Sequence, residues 1–360
     1  MRWAPTYWIR SSGAPRRQVM PEDEVVPPHQ FEELPMHCSL HSNVAVVEKE
    51  KSTNNEMPIH RPAMVRETLD ALSPRAGDKA LDLTVGTGGH ALALADKIGP
   101  DGFLLGLDRD KSALKVAKER LAESASCDFR LFRCPFSKGD RAAQEVGVER
   151  YHVILADLGV GSHQLEDPTR GFSYESDHKL DMRFNTTKGM SARDVVNSMP
   201  EEKLADIFYE LGEERYSRQI ARAICERRDE DPIETPAELA EIVKQVAARK
   251  SDGRTWRLHP ATRVMMALRI YVNREMEELE ALLEVLPHLL ARGARVCILT
   301  YHSLEARRVK QAWKEQEDKG LLREFDDSPI MPSDEEVEEN PRVRSCQLRA
   351  AEALTEGGLK

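Results

Sequence analysis

No two of the six cysteines, at 38, 127, 134, 225, 297 and 346, have CxxC spacing. That excludes a disulfide framework and a zinc ribbon as first readings and fits a reducing compartment. No apolar run is long enough to be a membrane span. No GxSxG elbow accompanies His302, Ser303 and Glu305, so these three are not read as a hydrolase set, and Ser303 is expected to cap the helix beyond it. Positive charge is also scarce: 52 Lys and Arg against 62 Asp and Glu leave a net charge of -10. This argues against a broad nonspecific grip on nucleic acid, although local basic stripes can still bind phosphate. What is present, 40% hydrophobic and 32% charged residues in a chain of 360, describes a globular protein with a large core, two folded units and tails.

The first 21 residues hold Arg2, Arg10, Arg16 and Arg17 and no acid before Glu22. That composition belongs to a disordered extension or to an organellar transit peptide, and poor helical amphipathicity favours the extension. Residues 1–56 as a whole read as extension or linker. From Pro58 the chain becomes regular. A helix at Ala63–Leu72 is followed by strands at Ala80–Leu83, Phe103–Leu107, Phe129–Arg133 and Val153–Leu158, with helices at Ala91–Ile98 and Ser112–Glu123 between them. This alternation predicts a parallel sheet covered by helices. After Leu165 about 90 residues carry helical signals only, including the Thr235-Pro-Ala-Glu238 capping box. A long helix from Pro260, a strand at Arg295–Tyr301, a helix at Ser303–Lys314 and a closing hairpin at Leu322–Phe325 and Cys346–Ala350 resume the α/β rhythm. The expected divisions are 57–165 and 259–353 for a split sheet domain, 166–258 for an inserted helical domain that recognises substrate, and 354–360 for a tail.

The strand at Ala80–Leu83 runs into Asp-Leu-Thr-Val-Gly-Thr-Gly-Gly-His, residues 82–90. A glycine-dense turn from strand to helix lets backbone N–H groups approach a nucleotide-like ligand. Asp108, 22 positions after Gly86, falls at the end of the next strand, where a carboxylate can accept both ribose hydroxyls. The cofactor is therefore expected to carry adenosine. Gly86, Gly88 and Ala91 also satisfy a relaxed dinucleotide pattern, so the spacing leaves NAD and S-adenosylmethionine both open, and with NAD an oxidoreductase.

Asp157 ends the fourth strand and should share one crevice with Asp108, beyond the carboxyl ends of the strands. Gln164, in the same loop, is placed to reach the amino-acid part of a cofactor. Phe136 is placed to stack on an adenine or to fill core. His90, solitary in sequence, is expected to offer backbone N–H only, not to bind a metal. Arg215, Arg218 and Arg222 recur along one helical stripe and suit phosphate, with Glu213, Glu214 and Glu226 near enough to neutralise them; Arg342 and Arg344 invite the same two readings.

These segments together resemble the RsmH (MraW) family of ribosomal RNA small-subunit methyltransferases: HRPAMVRETL from His60, DLTVGTGGH from Asp82, DLGVGSHQLEDPTRGFSY from Asp157, LDMRF from Leu180, YELGEERYSRQIARAI from Tyr209, HPATRVMMALRIYVN from His259, YHSLEARRVK from Tyr301 and NPRVRSCQLR from Asn340. The likeness spans roughly residues 57 to 353. It implies a class I S-adenosylmethionine-dependent methyltransferase fold, a Rossmann-like doubly wound sheet with an inserted helical domain. It also implies S-adenosylmethionine as methyl donor with no metal, and methylation of the exocyclic amino group (N4) of a cytidine in the decoding region, the P site, of 16S rRNA. Carried over by position, the family's cofactor contacts fall on Gly88, Gly89, His90, Asp108, Phe136, Asp157 and Gln164. From its strand-end position Asp157 is also the candidate catalytic proton acceptor, with binding of the donor alone as the alternative role, and the small ribosomal subunit in the cytoplasm is the expected setting. A non-catalytic ribosome-assembly protein that binds RNA is the alternative. The chain departs from the family at Gly161, Ser162 and His163, where Ser-Ser-Pro is usual, at Ala306, usually aspartate, and at Met265 and Met266 in place of Phe-Gln.

Overall fold

In the computed structural model, residues 32–33, 62–249 and 258–357 are described. The expectations for the Arg-rich start and for the rest of the linker, apart from Glu32 and Glu33, lie outside them.

Eight strands among the described residues form one sheet in the order β1-β4-β3-β2-β5-β6-β8-β7. They are β1 (Glu32–Glu33), β2 (Lys79–Asp82), β3 (Phe103–Asp108), β4 (Asp128–Arg133), β5 (Tyr151–Asp157), β6 (Leu290–Thr300), β7 (Leu322–Glu324) and β8 (Gln347–Ala353). β2 to β6 are mutually parallel, whereas β8 runs antiparallel to both β6 and β7, and β1 antiparallel to β4. This is the mixed sheet of a class I methyltransferase fold, closed by the expected hairpin. The chain winds from β2 outward to β3 and β4, then returns to add β5 and β6 on the other side of β2. The reversal between β2 and β5 opens a crevice at the carboxyl ends of the strands, where open α/β sheets bind ligands.

Near-continuous apolar strands are what a sheet buried on both faces requires. Leu81, paired with Leu105 and Ile154, packs on one face with Leu282 and Leu286 of α11 (Glu275–Leu289) and Trp313 of α12 (Ser303–Asp318). Ala80, Leu104 and Leu155 face the other way, toward Leu72 of α1 (Val65–Leu72), Leu94 of α2 (Gly89–Ile98) and Leu114 of α3 (Lys111–Ser124).

Between β5 and β6 the described residues are helical or irregular. After two short helices, α4 (Gly139–Glu145) before β5 and α5 (Ser162–Glu166) beyond it, α6 (Ala192–Ser198), α7 (Glu201–Glu210), α8 (Ser217–Glu230) and α9 (Pro236–Ala248) share a separate apolar core around Phe208, Ile220 and Leu239. Val264, Ala267 and Leu268 of α10 (Thr262–Asn273) join that core. The single long helix expected from Pro260 is in fact two, because Arg274 takes a left-handed conformation (φ 53°) between α10 and α11. Tertiary bonds hold the bend. Arg269 grips Glu275 through two hydrogen bonds of 2.8 Å, and Asn273 donates to the Met182 carbonyl and accepts from the Phe184 N–H.

Candidate active site

A cavity of about 380 Å³ lies at the reversal point, within the range of small-molecule sites. The glycine turn after β2 supplies Gly86, Thr87, Gly89 and His90; the end of β3 supplies Asp108; and Phe136 enters after β4. Asp157 with the loop to Gln164 comes from β5, and Tyr301 follows β6.

The turn is built by carboxylates accepting from its own backbone. Asp108 Oδ2 accepts from the Gly86 N–H at 2.8 Å and Oδ1 from the Asp110 N–H at 2.8 Å. Burial pushes the Asp108 carboxyl up despite these bonds. Gly88 does not line the cavity. It caps α2 with φ 87°, and a Cβ there would sit 3.2 Å from the Ala117 Cα, so it is the hinge that lets α2 lie close to α3. Gly89 and His90, the other two residues of that triplet, do face the cavity.

His90 is not solitary in space: its Nε2 lies 3.6 Å from Asp157 Oδ2, a contact that folding creates between the turn and β5. The other oxygen of Asp157, Oδ1, accepts the Tyr301 hydroxyl at 2.8 Å, and the Asp157 N–H donates to Thr84 Oγ1 at 2.6 Å. Phe136 opens a short 3-10 turn, half-buried against the core, with part of its ring toward the cavity. Gln164 is buried on the cavity wall with both ends of its amide engaged, Nε2 donating to Asp110 at 2.9 Å and Oε1 accepting from the Gly161 N–H at 3.1 Å. It therefore also serves to hold the loop.

Asp82 and Asp110 were not singled out by the sequence reading. Asp82 is 1% exposed, its Oδ1 accepts from the Thr84 N–H, and its Oδ2 has no partner. Burial raises its pKa to about 7, with the neighbouring Asp157 and Asp108 adding to the rise and His90 opposing it. A carboxylate closing an otherwise apolar strand was the available signal. Asp110 caps α3 and gathers Arg170 at 2.7 Å, Gln164 and Ser112. Burial alone would raise its pKa, but His163 standing 3.7 Å away, the hydrogen bonds from Gln164 and Ser112, and the Arg170 guanidinium hold it well below the usual carboxylate range.

Glu275, His302 and Glu305 bring three metal-ligand-type atoms within 4.8 Å of one another, while Arg269 already occupies both oxygens of Glu275. His302, not Ser303, caps α12: its Nδ1 accepts from the Glu305 N–H, and the Ser303 hydroxyl instead reaches Glu213 at 3.0 Å. The basic stripe is partly redrawn as well. Arg215 precedes α8, and Arg222 lies 3.6 Å from Glu201, not from the acids nearer in sequence, because α7 packs beside α8. Arg342 pairs with Glu166 at 3.0 Å, and Arg344 is exposed.

Comparison with known proteins identifies the family. Ribosomal RNA small subunit methyltransferase H of Cyanothece sp. is 43% identical over 296 residues, covering 82% of this chain and 95% of the relative. The protein of the same name from Geobacter sulfurreducens is 43% identical over 312 residues, 82% of this chain and 99% of the relative, and that from Acidobacterium capsulatum is 42% identical over 300 residues, 81% and 98%. Residues 57–354, from the segment before α1 to the end of the sheet, match a single family along their length, and the chain belongs to the MraW methylase family.

Proposed function

We propose that this protein transfers a methyl group from S-adenosylmethionine to the exocyclic N4 of a cytidine in the decoding region of 16S rRNA, acting on the small ribosomal subunit in the cytoplasm. One observation carries the choice of donor: Asp108 and Asp157 both line the cavity beside the glycine turn, with Asp82 buried behind them. A cluster of carboxylates attracts a sulfonium cation and repels the pyrophosphate of a dinucleotide, so the charge of the site separates two ligands that glycine spacing leaves equivalent. The relatives, all named methyltransferases, support the same choice and give the oxidoreductase reading no support.

The donor set fits the proposed ligand. Each Asp108 oxygen that accepts one backbone N–H retains a second lone pair for a ribose hydroxyl. Phe136 offers a ring face for adenine, Gly89 and His90 form the turn around the amino-acid end, and Gln164 closes the wall, with Gly88 shaping the turn from behind. When bound, S-adenosylmethionine supplies a methyl group already activated toward a nucleophile. The cytidine amino nitrogen is a weak nucleophile because its lone pair is delocalised into the ring. Holding it in line is therefore the main contribution asked of the protein, worth about 7 to 11 kcal/mol at the favourable limit. Asp157 is assigned to accept the proton that the nitrogen sheds. The exposed Arg218, Arg222 and Arg344 are the groups assigned to phosphate.

The test is to map methylated cytidines in small-subunit rRNA from cells with and without this protein. Loss of one N4-methyl mark in the decoding region supports the proposal. An unchanged methylation map, or loss of a mark on another base, contradicts it.

A further inference from the structure

Asp157 can act as an acceptor only if one of its oxygens is kept free and aimed, and the residue that does this lies 144 positions away. We propose that Tyr301 is a positioning residue for the methyl transfer: its hydroxyl holds Asp157 Oδ1 and leaves Oδ2 to receive the proton from the acceptor nitrogen. The inference rests on the catalytic reading of Asp157 given above.

The geometry assigns the two oxygens different tasks. Oδ1 is engaged by the Tyr301 hydroxyl at 2.8 Å. His90 Nε2 stands 3.6 Å from Oδ2, beyond hydrogen-bond reach, and that buried nitrogen has no hydrogen-bond partner. A carboxylate fixed at one oxygen, at its backbone N–H by Thr84 and at the strand end by β6 has little freedom to rotate.

Tyr301 is itself held. Its N–H donates to Glu305 Oε2 at 2.8 Å, and Glu305, 1% exposed, is kept ionised against burial by His302 and Arg269. Its ring stands 3.5 Å from the position a Cβ on Gly159 would take, against the loop that leaves Asp157. Burial and the Asp157 carboxylate push the phenol well above its ordinary range, so it remains a donor at any pH the folded protein meets. As the N–C bond forms and the S–C bond breaks, with the electron pair staying on sulfur, the nitrogen's proton passes to Oδ2. Tyr301 gains and loses nothing in that step, which is why it positions and does not catalyse.

The experiment compares wild type, Asp157→Asn, Tyr301→Phe and Tyr301→4-aminophenylalanine, the last keeping the ring and an N–H donor. Single-turnover methylation of small subunits at saturating S-adenosylmethionine is measured beside donor affinity by calorimetry. The expected result for Tyr301→Phe is a ten- to hundredfold slower turnover, the scale of one hydrogen bond to a charged group, with donor affinity within about twofold of wild type and the rate recovered in large part by 4-aminophenylalanine. A structural role would weaken donor binding along with the rate, and that outcome overturns the inference. So does a wild-type rate for Tyr301→Phe while Asp157→Asn is inactive. If both variants turn over normally, the catalytic reading of Asp157 falls first and takes the inference with it. Should Tyr301→Phe not fold, the 4-aminophenylalanine variant decides alone: near-normal turnover supports the role, and a hundredfold loss with intact donor binding contradicts it.

Discussion

A Cβ added to Gly161 would lie 2.5 Å from Cε1 of His163, so the histidine ring occupies the space a side chain at 161 would need. The contact couples the two positions through space. The ring is buried, with Nε2 3.7 Å from Asp110 Oδ2.

Gly161→Ser alone is therefore expected to destabilise the protein by about 1 to 3 kcal/mol, the cost of overpacking a filled site. Backbone strain does not contribute, since Gly161 has φ -69°. With His163→Ala in the same chain, most of that loss is expected to return. Urea unfolding of the two single variants and the double variant measures the coupling, and simple additivity would contradict the pairing.

Asp110 and Arg170 form a buried ion pair at 2.7 Å, with side chains 4% and 12% exposed. Arg170→Met leaves the Asp110 carboxylate with fewer donors in a desolvated site and is expected to cost about 3 to 5 kcal/mol. Because the folded carboxyl of Asp110 is held below its ordinary value of 3.8, its contribution is present above that pH and lost as the pH falls below it. Wild type should therefore lose stability below about pH 4 more steeply than Asp110→Asn, as followed by chemical unfolding between pH 3 and 6. Parallel curves would show that Asp110 is not the group responsible.

Asp82 has the opposite sign. Its pKa rises from 3.8 unfolded to about 7 folded, so the folded state binds the extra proton between those limits. Stability from this group is full below the unfolded value, declines as the pH rises, and is gone above about 7. Ionisation costs up to about 4 kcal/mol. Asp82→Asn is expected to flatten the decline in unfolding free energy between pH 4 and 7 relative to wild type. An unchanged slope would mean that the buried carboxyl ionises freely.

The sequence locates much of this site by one rule, that ligands gather beyond the carboxyl ends of parallel strands. Glycine turn, Asp108 and Asp157 were legible because each ends a recognisable apolar run. Tyr301 obeys the same rule at the end of β6 and was passed over because a tyrosine beside a strand reads as core. Gly88 shows the limit of motif spacing: the pattern marks the turn, but only the approach of α3 decides which glycine faces inward. His90 with Asp157 and Arg170 with Asp110 join segments tens of residues apart, and no local periodicity encodes such pairs. The bend at Arg274 was hidden for a similar reason, since an apolar stripe continues through it and the bonds that hold it come from Met182, Phe184 and Glu275.

The most direct test of the proposed donor site is calorimetric titration of S-adenosylmethionine, with NAD as comparison, into wild type and Asp108→Ala. Saturable S-adenosylmethionine binding to wild type, no NAD binding, and an affinity loss of about 1.5 to 3 kcal/mol in the variant are the expected results. Binding of NAD in preference to S-adenosylmethionine, or an Asp108→Ala affinity equal to that of wild type, would contradict the assignment of this cavity.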